Sequence, residues 1–112
     1  MIASNKTRGG VLAEKVELAD TPWARAKGLL GRNGLSSGEA LWIVPCAMVH
    51  TVCMRFPIDL LFLDRGQRVR RVVADLGPWR LSPWVPGAYS VLELAGGSLR
   101  GSVREGDELE IR

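Results

Sequence analysis

The sequence predicts an α+β domain that is mostly β, with a curled or barrel-like, largely antiparallel sheet of about seven strands and one main helix near residues 21–31. Two observations lead to this prediction. Short runs of β-branched, leucine and aromatic residues recur between breaks rich in glycine and proline. Only one stretch has helical periodicity, and no strand–helix–strand rhythm follows it, which favours an antiparallel architecture over a parallel α/β one.

Length and composition indicate one domain spanning residues 1–112. The chain is 46% hydrophobic and 24% charged, values that are ordinary for a globular protein with a single core. Its first residues lack the apolar stretch of a signal peptide, and no apolar run has membrane-spanning length. We therefore expect a cytoplasmic protein with no membrane partner.

The first elements are a strand and the helix. Apolar and charged residues alternate from Val11 to Leu18, which predicts a half-buried strand. Asp20 or Thr21 can cap the helix that follows, and Pro22 suits its first turn. Gly31 is a candidate for its end. The residues expected to pack on the sheet recur at helical spacing: Trp23, Ala26, Leu29 and Leu30.

The remaining strands follow from β-branched and apolar runs. Their predicted ranges are 40–44, closed by Pro45, then 46–54, 60–64, 69–74, 89–94 and 108–111. A tight turn at 65–67 makes a hairpin of two of them. The run from Pro57 to Asp64 is so apolar that it predicts an interior strand buried on both faces.

A long loop is predicted from Gly77 to Gly87, because three prolines there remove backbone donors. Loops of this length are often functional, and this one contains Trp79 and Trp84. The two tryptophans either plug the open end of the sheet or line a ligand pocket.

Polar residues are concentrated just before the interior strand, so the fold should bring them to one rim beside the tryptophan loop. The candidate binding residues are His50, Met54, Arg55, Asp59, Trp79, Arg80 and Trp84. For Asp59 a structural role is favoured over a ligand role: its buried carboxylate accepts backbone donors or pairs with an arginine and holds the turn into the strand.

The spacing of Cys46, His50 and Cys53 resembles a zinc motif, but a strand would point Cys53 away from the other two residues. A structural zinc site also needs four ligands, and no second Cys/His cluster exists, so we expect no metal or cofactor. A Cys46 nucleophile with His50 as its base is disfavoured, because four residues of a strand span roughly 13 Å.

Four motifs occur in a familiar order. They are Lys27-Gly28-Leu29-Leu30-Gly31-Arg32, Arg55-Phe56-Pro57-Ile58-Asp59 before an apolar run to Asp64, Val91-Leu92-Glu93-Leu94-Ala95-Gly96-Gly97, and Gly106-Asp107. Together they resemble the domain-of-unknown-function 192 family, also called uncharacterised protein family 0127. The resemblance implies a small, mostly β bacterial or archaeal domain with no assigned activity. Where typical members read Trp-Met-Lys-Asn, this chain has His50-Thr51-Val52-Cys53.

The sequence favours a module that binds a partner protein or a small ligand. The alternative is a hydrolase or transferase that uses His50 as acid or base; a lone histidine without a well-placed nucleophile favours binding. A weaker alternative is nucleic-acid contact, since the net charge is +3 and a basic cluster is formed by Arg65, Arg68, Arg70 and Arg71. Such a cluster is more typical of a solvated strand face than of a nucleic-acid footprint.

Overall fold

The computed structural model describes residues 1–112 and contains eight strands and one short helix. Their bounds are β1 (Ala3–Asn5), β2 (Val11–Ala13), β3 (Lys15–Ala19), α1 (Pro22–Lys27), β4 (Glu39–Ile43), β5 (Ile58–Leu63), β6 (Val69–Leu76), β7 (Ser90–Ala95) and β8 (Leu109–Ile111). The helix is too short to cross a membrane. The prediction of a mostly β fold with one helix is confirmed.

The prediction of a barrel-like sheet is wrong, because the strands form two open sheets. A three-stranded sheet has the order β2-β1-β8, and a five-stranded sheet has the order β3-β4-β7-β5-β6. The alternating run that predicted one strand from Val11 to Leu18 is divided at Glu14, and its halves, β2 and β3, belong to different sheets. This division and the short strand β1 add two strands to the seven predicted, and the predicted strand over residues 46–54 is absent, which leaves eight.

The five-stranded sheet is built around β5 and β7. All six residues of β5 are buried, so the predicted interior strand is confirmed. β5 pairs antiparallel with both β6 and β7, and β3 pairs parallel with β4. The predicted turn is present: Asp64 Oδ1 accepts from the backbone N–H groups of Gly66 and Arg68 at 2.9 and 3.0 Å.

The two faces of this sheet contribute to two separate apolar clusters. Leu61, Leu92 and Leu94 pack with residues of the three-stranded sheet, whereas Leu60 and Val91 pack with residues that follow β3 and β4. Successive side chains of a strand point to opposite faces, which is why neighbours such as Leu60 and Leu61 belong to different clusters. A polar residue on either face of β5 or β7 is therefore buried.

The helix is shorter than the predicted range of 21–31. It begins as expected, with the Thr21 side chain accepting from the N–H of Ala24 and Pro22 in the first turn. It ends at Lys27, because Gly28 adopts a positive φ of 50°. The predicted packing face is wrong for Trp23 and Ala26: Trp23 is 77% exposed, Ala26 is also exposed, and no residue of α1 is buried.

The predicted strand over residues 46–54 is also wrong. Only an isolated bridge between His50 and Leu81 is regular there, and the loop from Gly77 to Gly87 is confirmed. Backbone hydrogen bonds still join the two segments: the Thr51 N–H donates to the Arg80 carbonyl, and the Ser82 N–H donates to the Val49 carbonyl, both at 2.8 Å. The tryptophan loop therefore lies beside the His50 segment, as the sequence predicts.

Candidate functional site

A small pocket lies where α1 and the residues after it meet the end of β4 and the His50 segment. It encloses about 70 Å³, and one water needs roughly 15 Å³. Its lining residues are Arg25, Ala26, Lys27, Gly28, Leu29, Leu30, Ile43, Cys46, Met48, Val49, His50, Met54 and Glu93. A wider groove adjoins it and shares Arg25, Ala26, Cys46 and His50. The pocket has room for several waters or for part of a small ligand.

Glu93 gives the pocket its unusual chemistry. It lies on the central strand β7, opposite Leu41 of β4 and Leu60 of β5, and it is only 2% exposed. Its Oε1 atom is buried without a hydrogen-bond partner. Burial raises the pKa of this carboxyl to about 7, and the positive charge of Arg32 opposes the shift only in part. An unpaired buried carboxyl is costly, which makes it a marker for a functional site.

Sequence reasoning missed Glu93, although a signal was present. The residue stands between Leu92 and Leu94 in a strand that was predicted only as an apolar run. A single acid in such a run is either exposed on a wet face or buried with a specific role. The sequence alone does not say whether both faces of that strand are covered, and this decides between the two.

Cys46 and His50 both line the pocket, contrary to the separation expected for a regular strand, because their segment is irregular. The Cys46 Sγ donates to the Met48 carbonyl at 3.1 Å. Burial raises the pKa of this thiol, and the charge of Glu93 adds to the effect. No hydrogen bond joins the His50 imidazole to a carboxylate. The thiol is thus held in its protonated form and is not an activated nucleophile.

We expect the two cysteines to differ strongly in reactivity. Cys53 is exposed, whereas Cys46 is partly buried with a raised thiol pKa. Because the thiolate is the reactive form, an alkylating reagent at pH 8 should label Cys53 at least about tenfold faster than Cys46. Cys46→Ser and Cys53→Ser each leave one thiol to be timed by mass spectrometry. Equal labelling rates in the two variants would contradict the placement of Cys46.

The predicted binding residues are only partly brought together. His50 and the buried Met54 line the pocket, whereas Arg55 points elsewhere and donates to Asn33 Oδ1 at 2.8 Å. Trp79 and Trp84 are 66% and 68% exposed, so neither plugs an end of the sheet, and neither lines the pocket. Arg80 is exposed beside them on the same loop.

Exposed apolar side chains lie on both segments that meet at the His50–Leu81 bridge. Met48 and Val52 flank His50 at two residues to either side, and Trp79 and Trp84 lie on the loop that contains Leu81. Each of these apolar side chains is more than a third exposed. We call Met48, Val52, Trp79, Leu81 and Trp84 the exposed apolar residues. Of these five, Met48 lines the pocket.

Asp59 lies outside this site. It is opposite Leu94 on β7, so its side chain belongs to the sheet face away from Glu93. Its carboxylate accepts three backbone N–H groups: those of Asp75 at 2.7 Å and Gly97 at 3.0 Å on Oδ1, and that of Leu99 at 3.1 Å on Oδ2. The prediction that the buried Asp59 carboxylate accepts backbone donors is confirmed.

Three of the four clustered arginines are engaged within the fold. The Arg65 guanidinium lies 4.2 Å from the ring centre of Tyr89, and Arg68 donates to the Gly106 carbonyl at 2.8 Å. The Arg70 guanidinium packs so closely over Gly87 that a Cβ there would lie 3.1 Å from it. No group of three or more His, Cys, Asp and Glu side chains is placed to hold a metal ion.

Fold and site together define a small two-sheet β domain with a carboxyl-bearing pocket at one face of its larger sheet. The chain belongs to the domain-of-unknown-function 192 family (DUF192), described as "Uncharacterized ACR", whose model matches residues 3–111. The predicted family is confirmed.

Relatives agree with this assignment. The chain is 32% identical over 115 residues to a UPF0127 protein of Thermococcus sibiricus, an alignment that covers 95% of this chain and 71% of that protein. A crystal structure of a protein of unknown function from Novosphingobium aromaticivorans is similar, with a TM-score of 0.85, 28% identity and coverage of 98% of this chain and 83% of that one. A candidate transcription regulator from Sinorhizobium meliloti has a TM-score of 0.81, 25% identity and coverage of 97% and 89%.

Proposed function

We propose that this protein is a small-ligand-binding domain and that its site is the pocket lined by Cys46, His50, Met54 and Glu93. The observation that supports this proposal is the buried Glu93 Oε1, which has no hydrogen-bond partner. Leaving such an atom unpaired costs roughly 1–3 kcal/mol or more. A ligand that donates a hydrogen bond to it would recover that cost.

The proposed site also includes the exposed apolar residues. A ligand larger than the pocket would leave part of itself at the mouth, and there Met48 continues into exposed apolar surface. Apolar area removed from water contributes about 25 cal/mol per Å². In this proposal Trp79, Arg80 and Trp84 contact the part of the ligand that lies outside the pocket. We place the binding in the cytoplasm.

The enzymatic alternative is less well supported by the geometry. His50 and Glu93 line one pocket, which the alternative requires, but no hydrogen bond connects the imidazole to a carboxylate and the Cys46 thiol has a raised pKa. A nucleophile and its base should lie within hydrogen-bonding reach of each other. The site is therefore better suited to holding a ligand than to attacking it.

We expect a bulky side chain at Ala26 to abolish ligand binding. Ala26 is exposed on α1 and lines both the pocket and the adjoining groove, so Ala26→Phe should fill the entrance. The measurement is a thermal-shift screen of small amines, amino acids, carboxylates and sugars. A compound at 100 times its Kd adds about 2.7 kcal/mol to the free energy of unfolding, which corresponds to a rise of roughly 10 °C in Tm.

Ala74→Phe is the matched control, because Ala74 is exposed on β6 and lines none of the pockets around α1. Compounds that raise the Tm of the wild type should raise that of Ala74→Phe equally and leave Ala26→Phe unchanged. The same compounds should slow alkylation of Cys46 and not of Cys53. Equal shifts in both phenylalanine variants, or a screen without any stabilising compound, would refute the proposed function.

A further inference from the structure

The pocket has a buried carboxyl and exposed positive charges. The carboxyl of Glu93 is buried on the central strand, whereas Arg25 and Lys27 line the pocket from the exposed face of α1. Neither cation takes part in any of the ion pairs of the structure, which join Lys6–Glu108, Arg8–Asp107, Arg32–Glu17 and Arg112–Glu110. The pocket therefore has a negative group at its base and two uncommitted positive groups at its rim.

The base of the pocket calls for a hydrogen-bond donor that the protein does not provide. The Cys46 thiol lines the pocket but already donates to the Met48 carbonyl, and no other lining side chain donates to Glu93 Oε1. The other side chains of the inner wall are apolar: Leu29, Leu30, Ile43, Val49 and Met54. Carboxylates form their strongest hydrogen bonds with charged nitrogen donors. A protonated amine is the simplest ligand group that satisfies Glu93.

The positive side chains at the rim favour a ligand that also carries a negative charge. An isolated cation entering past Arg25 and Lys27 would meet repulsion, whereas a ligand that also carries an anionic group would be attracted by these side chains. The apolar lining residues suit a short hydrocarbon side group next to the two charged groups, because apolar area buried there adds to affinity. Arg25 is well suited to a carboxylate or phosphate, since its guanidinium can bind either in a bidentate manner.

We propose that the ligand of this pocket is a small zwitterion, in which an ammonium group binds Glu93 and an anionic group meets Arg25 and Lys27. This is the chemistry of free amino acids and of their close analogues. The inference rests on the proposed function, because it names the ligand class of that same site.

Ligand binding at Glu93 should also be coupled to the release of a proton. The groups that face Glu93 are Arg25 and Lys27 from α1, Arg32 from the loop after it, and Cys46 and His50 from the opposite wall. Because the carboxyl has a pKa near 7 when the pocket is empty, it is partly protonated at pH 6.5. An ammonium group favours the ionised form, so binding at pH 6.5 should release a proton from Glu93, and affinity should rise between pH 6 and pH 8.

The experiment compares three probes with one hydrocarbon body: leucine, 3-methylbutylamine, which lacks the carboxylate, and 4-methylpentanoate, which lacks the amine. Calorimetric titration in two buffers of different ionisation enthalpy gives affinity and proton release together. Leucine should bind most tightly, the amine about tenfold more weakly, and 4-methylpentanoate should not bind. Binding of 4-methylpentanoate as tight as that of leucine would overturn the inference.

Two variants assign the contacts. Glu93→Gln should weaken leucine and the amine by at least about tenfold and remove the proton release. Arg25→Gln, at an exposed position where folding is not at risk, should weaken leucine binding about tenfold, whereas the amine should bind as tightly as before or more tightly because a repelling charge is removed. Unchanged leucine binding in both variants would also overturn the inference. If none of the three probes binds while other compounds protect Cys46 from alkylation, the proposal of a zwitterionic ligand is refuted and the proposed ligand-binding function is retained.

Discussion

Replacing Asp59 with alanine is expected to lower the free energy of unfolding by about 4 kcal/mol, since three backbone N–H groups lose their acceptor at a buried position. For a chain of this size the loss corresponds to a fall of roughly 20 °C in Tm. The three donors come from Asp75 on β6 and from Gly97 and Leu99 after β7, so one carboxylate ties both neighbours of β5 to it. Thermal and urea denaturation measure the effect.

Two further variants make this test specific. Asp59→Asn keeps one carbonyl oxygen and should lose about half as much stability as Asp59→Ala. Glu105→Ala removes an exposed acid and should change the free energy of unfolding by less than about 0.5 kcal/mol. A Tm for Asp59→Ala within a few degrees of the wild type would show that the three contacts do not hold the strands together.

The buried carboxyl of Glu93 should make stability fall as the pH rises. Its pKa is raised from 4.5 to about 7 in the folded state. Between these values the folded protein binds more protons than the unfolded chain, so the free energy of unfolding decreases as the pH rises through that range. The ionisation of Glu93 lowers the free energy of unfolding by roughly 3 kcal/mol in total. This loss of stability is absent below about pH 4.5 and complete above about pH 7.

Glu93→Gln isolates this contribution because glutamine has nearly the same shape and does not titrate. Urea denaturation at pH 5 and pH 8 gives the difference in unfolding free energy between variant and wild type at each pH. That difference should shift by about 2–3 kcal/mol in favour of the variant at pH 8. Glu105→Gln, at an exposed position, should follow the wild type at both values. A difference for Glu93→Gln that is the same at both values would mean that the carboxyl titrates normally.

Local sequence signals predicted the parts of this fold that depend on neighbouring residues. The apolar run ending at Leu63 specified a buried strand, and Asp64 specified the turn after it, because a side chain two residues away satisfies the turn's own N–H groups. Thr21 marked the start of the helix for the same reason. The helix end was predicted at Gly31, but the helix already ends before Gly28, which adopts a positive φ three residues earlier.

The site required the tertiary structure. The sequence identified the His50 segment and the tryptophan loop and placed them side by side, because both border the interior strand and its hairpin. It did not find Glu93, and it grouped Asp59 with the site although the two carboxylates lie on opposite faces of one sheet.

The chain by itself thus determined where the strands of the larger sheet lie, the turn between β5 and β6, and the family that the protein belongs to. Only the tertiary structure decided what covers each face of the central strands. That cover determines whether a carboxylate finds backbone donors, as Asp59 does, or remains unpaired in a pocket, as Glu93 does. The physical reason is that solvation and hydrogen bonding of a buried group depend on residues far away in the sequence, as Leu99 is from Asp59.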